Sequence, residues 1–176
     1  MKILIMCEGA NELAVVNMLL DDNRFTFSRD DLLDMRPFHA RQLDSPQLKP
    51  ALNAYHDDLV IYRIGDTLSD AIKIPKDFTN TILAQEKYCT KPEIEMLFII
   101  AENLTSAYEK TKSKTRPKLF CKQNVKLKKK YYDNSTKFFY DYFSSRVDVL
   151  VSTITEYKRT HGKHKPNENY LADLLK

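Results

Sequence analysis

Glycine is scarce in this chain, with only three in 176 residues, at positions 9, 65 and 162. That scarcity leaves no glycine-rich cradle for a phosphate group, so a small-molecule phosphate enzyme ranks last among the function classes. Cysteine is sparse as well. Cys7, Cys89 and Cys121 are odd in number and far apart, with no Cys-x-x-Cys and no Cys/His pair at zinc spacing. Neither a disulfide framework nor a structural zinc is indicated. Cys7 is expected to be a small core-lining thiol, because no histidine lies near it in sequence to activate it. No apolar run approaches membrane-spanning length, which argues against a membrane helix. Glu8 interrupts the first apolar run after a few residues, which argues against a secretory signal, and the expected compartment is the cytoplasm.

What the chain does have is charge, unevenly placed. Hydrophobic residues make up 43% and charged residues 30%, the proportions of a soluble globular protein. A chain of 176 residues can bury a sizeable core as one domain with a decorated end. The formal net charge of +4 divides into −4 over residues 1–90 and +8 over residues 91–176. An acidic half with carboxylates at strand ends, joined to a basic half, suits a metal-dependent phosphodiester enzyme. It equally suits a protein that binds an acidic partner.

Residues 1–20, MKILIMCEGANELAVVNMLL, organise the rest. Ile3, Leu4, Ile5 and Met6 form a continuous apolar run, which reads as a strand buried on both faces of a parallel sheet. The run stops at Cys7-Glu8-Gly9. Leu13, Val15, Val16, Met18, Leu19 and Leu20 then resume with helical length. Glu8 is thereby placed at the carboxyl end of an inner strand, where open α/β sheets bind their ligands. A charge there must face water, a partner or a metal, because burying it alone costs too much. Gly9 is expected to let the backbone turn sharply. A partial echo follows: residues 59–64 read as a second strand, ending in Gly65-Asp66. Two of the three glycines thus adjoin an acid at the end of a hydrophobic run. Two ordinary strand-to-loop turns are the alternative reading.

The order strand, Glu8-Gly9-Ala10-Asn11-Glu12, helix, and a later strand ending in Asp66 resembles the TOPRIM domain. The form is closest to small stand-alone, OLD-like TOPRIM proteins of bacterial mobile elements and phage defence. The resemblance covers about residues 1–100. It implies that Glu8 is a catalytic carboxylate and that acids after the later strand bind a divalent metal, Mg²⁺ or Mn²⁺. Asp66 matches the first acid of the family's Asp-x-Asp motif. Two places on, this chain has Leu68, and the next acid is Asp70. That departure favours the alternative reading, a catalytically degraded TOPRIM-like subunit that regulates or scaffolds an ATPase-like partner protein encoded nearby.

The remaining stretches add candidates. Phe25 and Phe27 alternate with polar residues as a short edge strand would. Residues 35–41 suggest another strand and residues 47–55 a short helix. His39, between Arg36 and Arg41 in a candidate anion-binding cluster, and His56, before Asp57-Asp58 in a turn, are each either substrate-contacting or solvated loop histidines. Residues 71–75 read as a short strand stopped by Pro75, with Lys73 facing solvent. Pro92 suits the first position of a helix reaching about Tyr108, with Thr90 as its cap. Glu93 and Glu95 are then first-turn acids complementing the helix dipole, or one of them, preferably Glu95, joins Glu8 and Asp66.

From Lys110 to Lys130 ten basic residues occur without an acid. Among them Lys118, Lys122, Lys126, Lys128, Lys129 and Lys130 are candidates to hold a nucleic-acid backbone. The aromatics at 138–143 fit a core-facing helix better than a stacking surface. Residues 147–157 read as a helix with Val147, Leu150, Val151, Ile154 and Tyr157 on one stripe. His161 and His164 fall in a basic turn, and residues 168–175 close the chain as a short helix.

The expected fold is α/β: a small, largely parallel TOPRIM-like (Rossmann-like) sheet flanked by helices over residues 1–108, with a basic, mainly helical extension over 109–176 packed on it. The expected function is divalent-metal-dependent cleavage of DNA or RNA. Glu8 and Asp66 would be catalytic, with Glu8, Asp66, Asp70, Glu12 and Glu95 as metal ligands. The partners expected are nucleic acid and a neighbouring protein, with no membrane.

Overall fold

The apolar run at the amino terminus forms β1 (Lys2–Cys7) and leads into α1 (Ala10–Asp21). In the computed structural model, which describes residues 1–66, 70–161 and 164–176, the chain continues through β2 (Phe38–His39), α2 (Lys49–Asn53), β3 (Leu59–Gly65) and β4 (Ile82–Cys89). There follow α3 (Met96–Ala101), α4 (Thr105–Glu109), α5 (Pro117–Asn124), β5 (Lys126–Leu127) and β6 (Lys130–Tyr131). The last elements are α6 (Thr136–Phe143), α7 (Val147–Thr160) and β7 (Asn169–Tyr170).

Five strands pair in the order β2-β1-β3-β4-β7, every pair parallel. Strands β5 and β6 make a separate antiparallel hairpin. Alternate residues of the sheet serve two cores. Ile5, Cys7, Ile64 and Tyr88 face one made with α1, α3, α6 and α7. Leu4, Met6, Leu59 and Ile61 face another, closed by Leu33, Leu48 and Leu52. Apolar cover on both faces is what a parallel sheet requires, and the arrangement is Rossmann-like. The order in which strands are added reverses between β1 and β3, the switch point beside which such sheets leave a crevice at their carboxyl edge.

The reading of β1, α1 and β3 holds, and β2 and α2 are shorter than the segments read for them. Several expectations are corrected. Strand β4 does not show a continuous apolar run: Gln85, Glu86 and Lys87 break it at mid-strand and Leu83, Ala84 and Gln85 are exposed, as suits a strand that meets β7 only at Tyr88 and Cys89. Residues 71–75 are not a strand: their backbone is pinned by the Gln42 side chain, through Ala71 O and Lys73 N, both at 3.0 Å. Phe25 is fully buried and makes only a single bridge, to Leu175. Pro92 does not open a helix. Helix α3 runs only from Met96 to Ala101, and just beyond it the left-handed backbone of Asn103 (φ 56°) lets Leu104 N–H reach the Ile99 carbonyl at 2.8 Å.

The carboxyl-terminal part is knitted into the sheet. Strand β7 supplies its fifth strand, and residues 171–174 form a 3₁₀ turn. The basic stretch expected to be mainly helical also contains the β5–β6 hairpin. Phe98 on α3 is ringed by Tyr132, Phe138, Phe139, Tyr142 and Phe143, with ring centroids 4.2–5.6 Å away. The α6 aromatics therefore pack, as expected, with Tyr140 alone turned outward. Among the described residues no helix is long and apolar enough to cross a membrane.

Candidate active site

Each strand of the switch point hands the chain to an acid. Glu8 follows β1 and stays in register, its N–H bonding the Ile64 carbonyl at 2.8 Å. Asp66 follows β3. Both line a cleft of about 290 Å³ together with Glu12 and Glu95. Four carboxylates from three segments of the chain thus share one opening. Arg41, just past β2, and Lys118, on α5, supply its cations, while Asn11, Asn134 and Thr136 supply neutral polar groups.

Glu12 is the most perturbed of the four. It sits in the first turn of α1 with 6% of its surface exposed. Burial, and secondarily the charges of Asp66, Glu95 and Glu8, raise its pKa from 4.5 to about 7. The Glu12 carboxylate lies against Gly9, where a β-carbon would stand 2.5 Å from Oε2. The Gly9 backbone is extended (φ −136°), so the expected sharp turn is not why glycine is needed. It leaves room for the carboxylate.

Glu95 is 2% exposed. It accepts a hydrogen bond from the Tyr132 hydroxyl at 2.8 Å and lies 3.9 Å from Lys118 Nζ. Burial raises its pKa, which the hydrogen bond partly offsets. Glu93 points elsewhere: its carboxylate accepts the Lys118 backbone N–H at 2.8 Å and so caps α5. Of the two acids it is Glu95, as preferred from sequence, that reaches the cleft. Arg41 Nη2 lies 3.4 Å from Glu8 Oε1.

Asp70 stands apart. It lines a smaller recess with Met6, Glu8, Ala40, Arg41 and Arg63, on the other side of Glu8. Its carbonyl accepts a hydrogen bond from the buried Arg63 guanidinium. Leu68 lies outside the described residues, as does Gly162 in the basic turn. Cys7 is fully buried, and burial holds its thiol well above its usual pKa, which fits a core residue rather than a nucleophile. His39 and His56 are exposed, and Arg36 pairs with Asp34 rather than joining Arg41. His161 and His164 pack on Tyr157 and Tyr170, remote in sequence from the acids.

The donor set of the cleft is all oxygen, the set that hard divalent cations take. The mutual repulsion at Glu12 is what a cation would relieve. Among the described residues, no three His, Cys, Asp or Glu side chains stand close enough together to form a ready-made coordination shell. Arg63, Asn134 and Thr136 escaped the sequence reading, since nothing in their neighbours marks them, and Asn11 was given no role although it lies within the Glu8–Glu12 motif. No family model, curated protein or solved structure matches this chain.

Proposed function

We propose that the chain is a divalent-metal-dependent nuclease acting on DNA or RNA, of the TOPRIM type that its Glu8-Gly9-x-x-Glu12 segment resembles. The observation that carries this reading is the convergence of Glu8, Glu12, Asp66 and Glu95 on one cleft at the carboxyl edge of β1 and β3, between Arg41 and Lys118. Glu8, Asp66 and Glu12, with Glu95 in support, would hold Mg²⁺ or Mn²⁺. When bound, such an ion stabilises charge on the attacking or leaving oxygen. Arg41 and Lys118 bring positive charge to the same opening and suit a phosphodiester. Arg41 also keeps the Glu8 carboxylate oriented. The lysines at 118–130 hold the backbone and carry little sequence readout. A role in phage defence follows from the resemblance alone.

Asp70, which lines the separate recess beside Arg63, stands outside this ligand set. Its position beside Arg63, together with Leu68 in place of the second acid, favours one rival. In that reading the chain is a degraded binding or regulatory subunit that acts with an ATPase-like partner protein.

Labelled single- and double-stranded DNA and RNA, incubated with Mg²⁺ or Mn²⁺, separate the two. Cleavage by the wild type that disappears in Glu8→Ala supports the nuclease. No cleavage, with binding that falls steeply as salt rises, supports the subunit.

A further inference from the structure

Beside the carboxylate cleft lies a larger groove of about 830 Å³, between the β5–β6 hairpin and α6. The two are separated by one short piece of chain. Asn134 and Thr136 line the cleft, while Lys137 and Phe138, the next residues, line the groove. Leu127 and Phe138 give the groove an apolar floor, and Lys128, Lys129 and Lys130 form its wall.

The charge balance there is positive. Lys137 is paired with Asp141 at 2.7 Å and Lys130 with Asp133 at 2.6 Å. Lys128 and Lys129 are exposed and make no ion pair among the described residues. They form the two-residue turn of the hairpin, and Lys128 has a left-handed backbone (φ 56°). Asn or Gly is the residue that such a turn favours. A lysine here forgoes the best turn chemistry and gains a charge at the tip, a local conflict of the kind concentrated at functional sites. Tyr140 stays accessible, 55% exposed and one turn along α6 from Lys137, while Tyr131 alternates with Lys130 on the hairpin and lies beneath the Lys126 ammonium.

We infer that this groove binds an unpaired nucleic-acid strand running out of the carboxylate cleft past Asn134–Thr136. The inference rests on the nucleic-acid reading of the same site. Lysines track the phosphates, while the apolar floor and Tyr140 receive bases that a duplex keeps inside its stack. Lys137, Tyr140 and the Lys128–Lys129 turn thereby become substrate-holding residues outside the cleft.

The test is fluorescence anisotropy on the full chain with short labelled oligo-dT, oligo-rU and a duplex of equal length, in EDTA so that nothing is cut. The Lys128→Glu/Lys129→Glu variant is compared with Lys112→Glu/Lys114→Glu, the same charge change on other exposed lysines. The expected result is an affinity loss of about tenfold or more, with a shallower salt dependence, for the groove variant alone. The oligonucleotide that binds more tightly identifies the sugar. Equal loss in both variants, loss in neither, duplex binding as tight as single-strand binding, or no binding by the wild type would each overturn the inference. Binding in EDTA and cleavage with metal are read separately, which keeps the two readings distinguishable. A wild type that never cleaves yet loses binding only through the groove leaves this inference standing and removes the nuclease. A wild type that cleaves while the groove variant binds and cleaves equally well does the reverse.

Discussion

Replacing Glu12 by glutamine tests the electrostatics of the cleft without any assumption about substrate. In the folded protein the Glu12 carboxyl has a pKa of about 7 against an ordinary 4.5, first because it is buried and then because three acids surround it. A raised pKa means that the fold prefers the protonated acid. The stability associated with that preference is fully present below the unfolded value and is lost as pH rises through about 7. At about 1.4 kcal/mol per pH unit, ionisation of Glu12 costs the fold roughly 3 kcal/mol on the alkaline side. Glu12→Gln keeps the volume and cannot ionise. Its stability relative to the wild type should therefore grow between about pH 5 and about pH 8, by up to roughly 3 kcal/mol. At about 2–4 °C per kcal/mol for a chain of this size, the Tm difference should widen by about 6–12 °C. Urea and thermal unfolding of both proteins across that range measure it. Mg²⁺ should stabilise the wild type more than the variant at the upper end. A difference that stays flat with pH would refute the reasoning, because the acids would then not be sharing a confined space.

Three further outcomes are expected. Gly9→Ala places a β-carbon on the Glu12 carboxylate while leaving a permissible extended backbone; the melting temperature should barely change while cleavage falls by about 10²-fold, the scale of a misplaced site group. Glu93→Ala removes the cap from α5 and should cost about 1 kcal/mol in urea unfolding, with single-strand binding weakened through the loosened Lys118. Phe98→Ala empties the centre of the aromatic cluster and should cost about 3–5 kcal/mol by the same measurement, with cleavage retained at low temperature.

What could be read from sequence was what local pattern encodes. The run at residues 3–6 is apolar throughout, and the strand at 59–64 is so but for Arg63, because both faces of a parallel sheet are covered, so their ends, Glu8 and Asp66, were legible as site positions. Strand β4 was not, because Gln85, Glu86 and Lys87 break the apolar run on a half-exposed strand. Strand β7 has two residues and owes its existence to Tyr88 and Cys89, a contact no window of sequence contains. Glu95 could be ranked above Glu93 because the helix start seemed to claim the latter; in the folded chain Glu93 caps a different helix, twenty-five positions away. Glu12 was marked by its motif. Its protonation behaviour was not, since burial and the approach of Glu95 arise only when the segments meet.

The seam between residues 24–26 and 174–176 bears on how the chain reaches this state. Arg24 and Thr26 exchange backbone hydrogen bonds with Lys176 and Leu174, and Phe25 is buried at their bridge. Such distant ends can meet only after a long loop closes, an entropic expense that falls late in a folding reaction and slows it. A nascent chain still lacking residues 169–176 would hold Phe25 uncovered and the sheet one strand short. Glu8 and Asp66 could be adjacent by then, since β1 and β3 pair without that segment, so the cleft can take shape before the molecule is sealed.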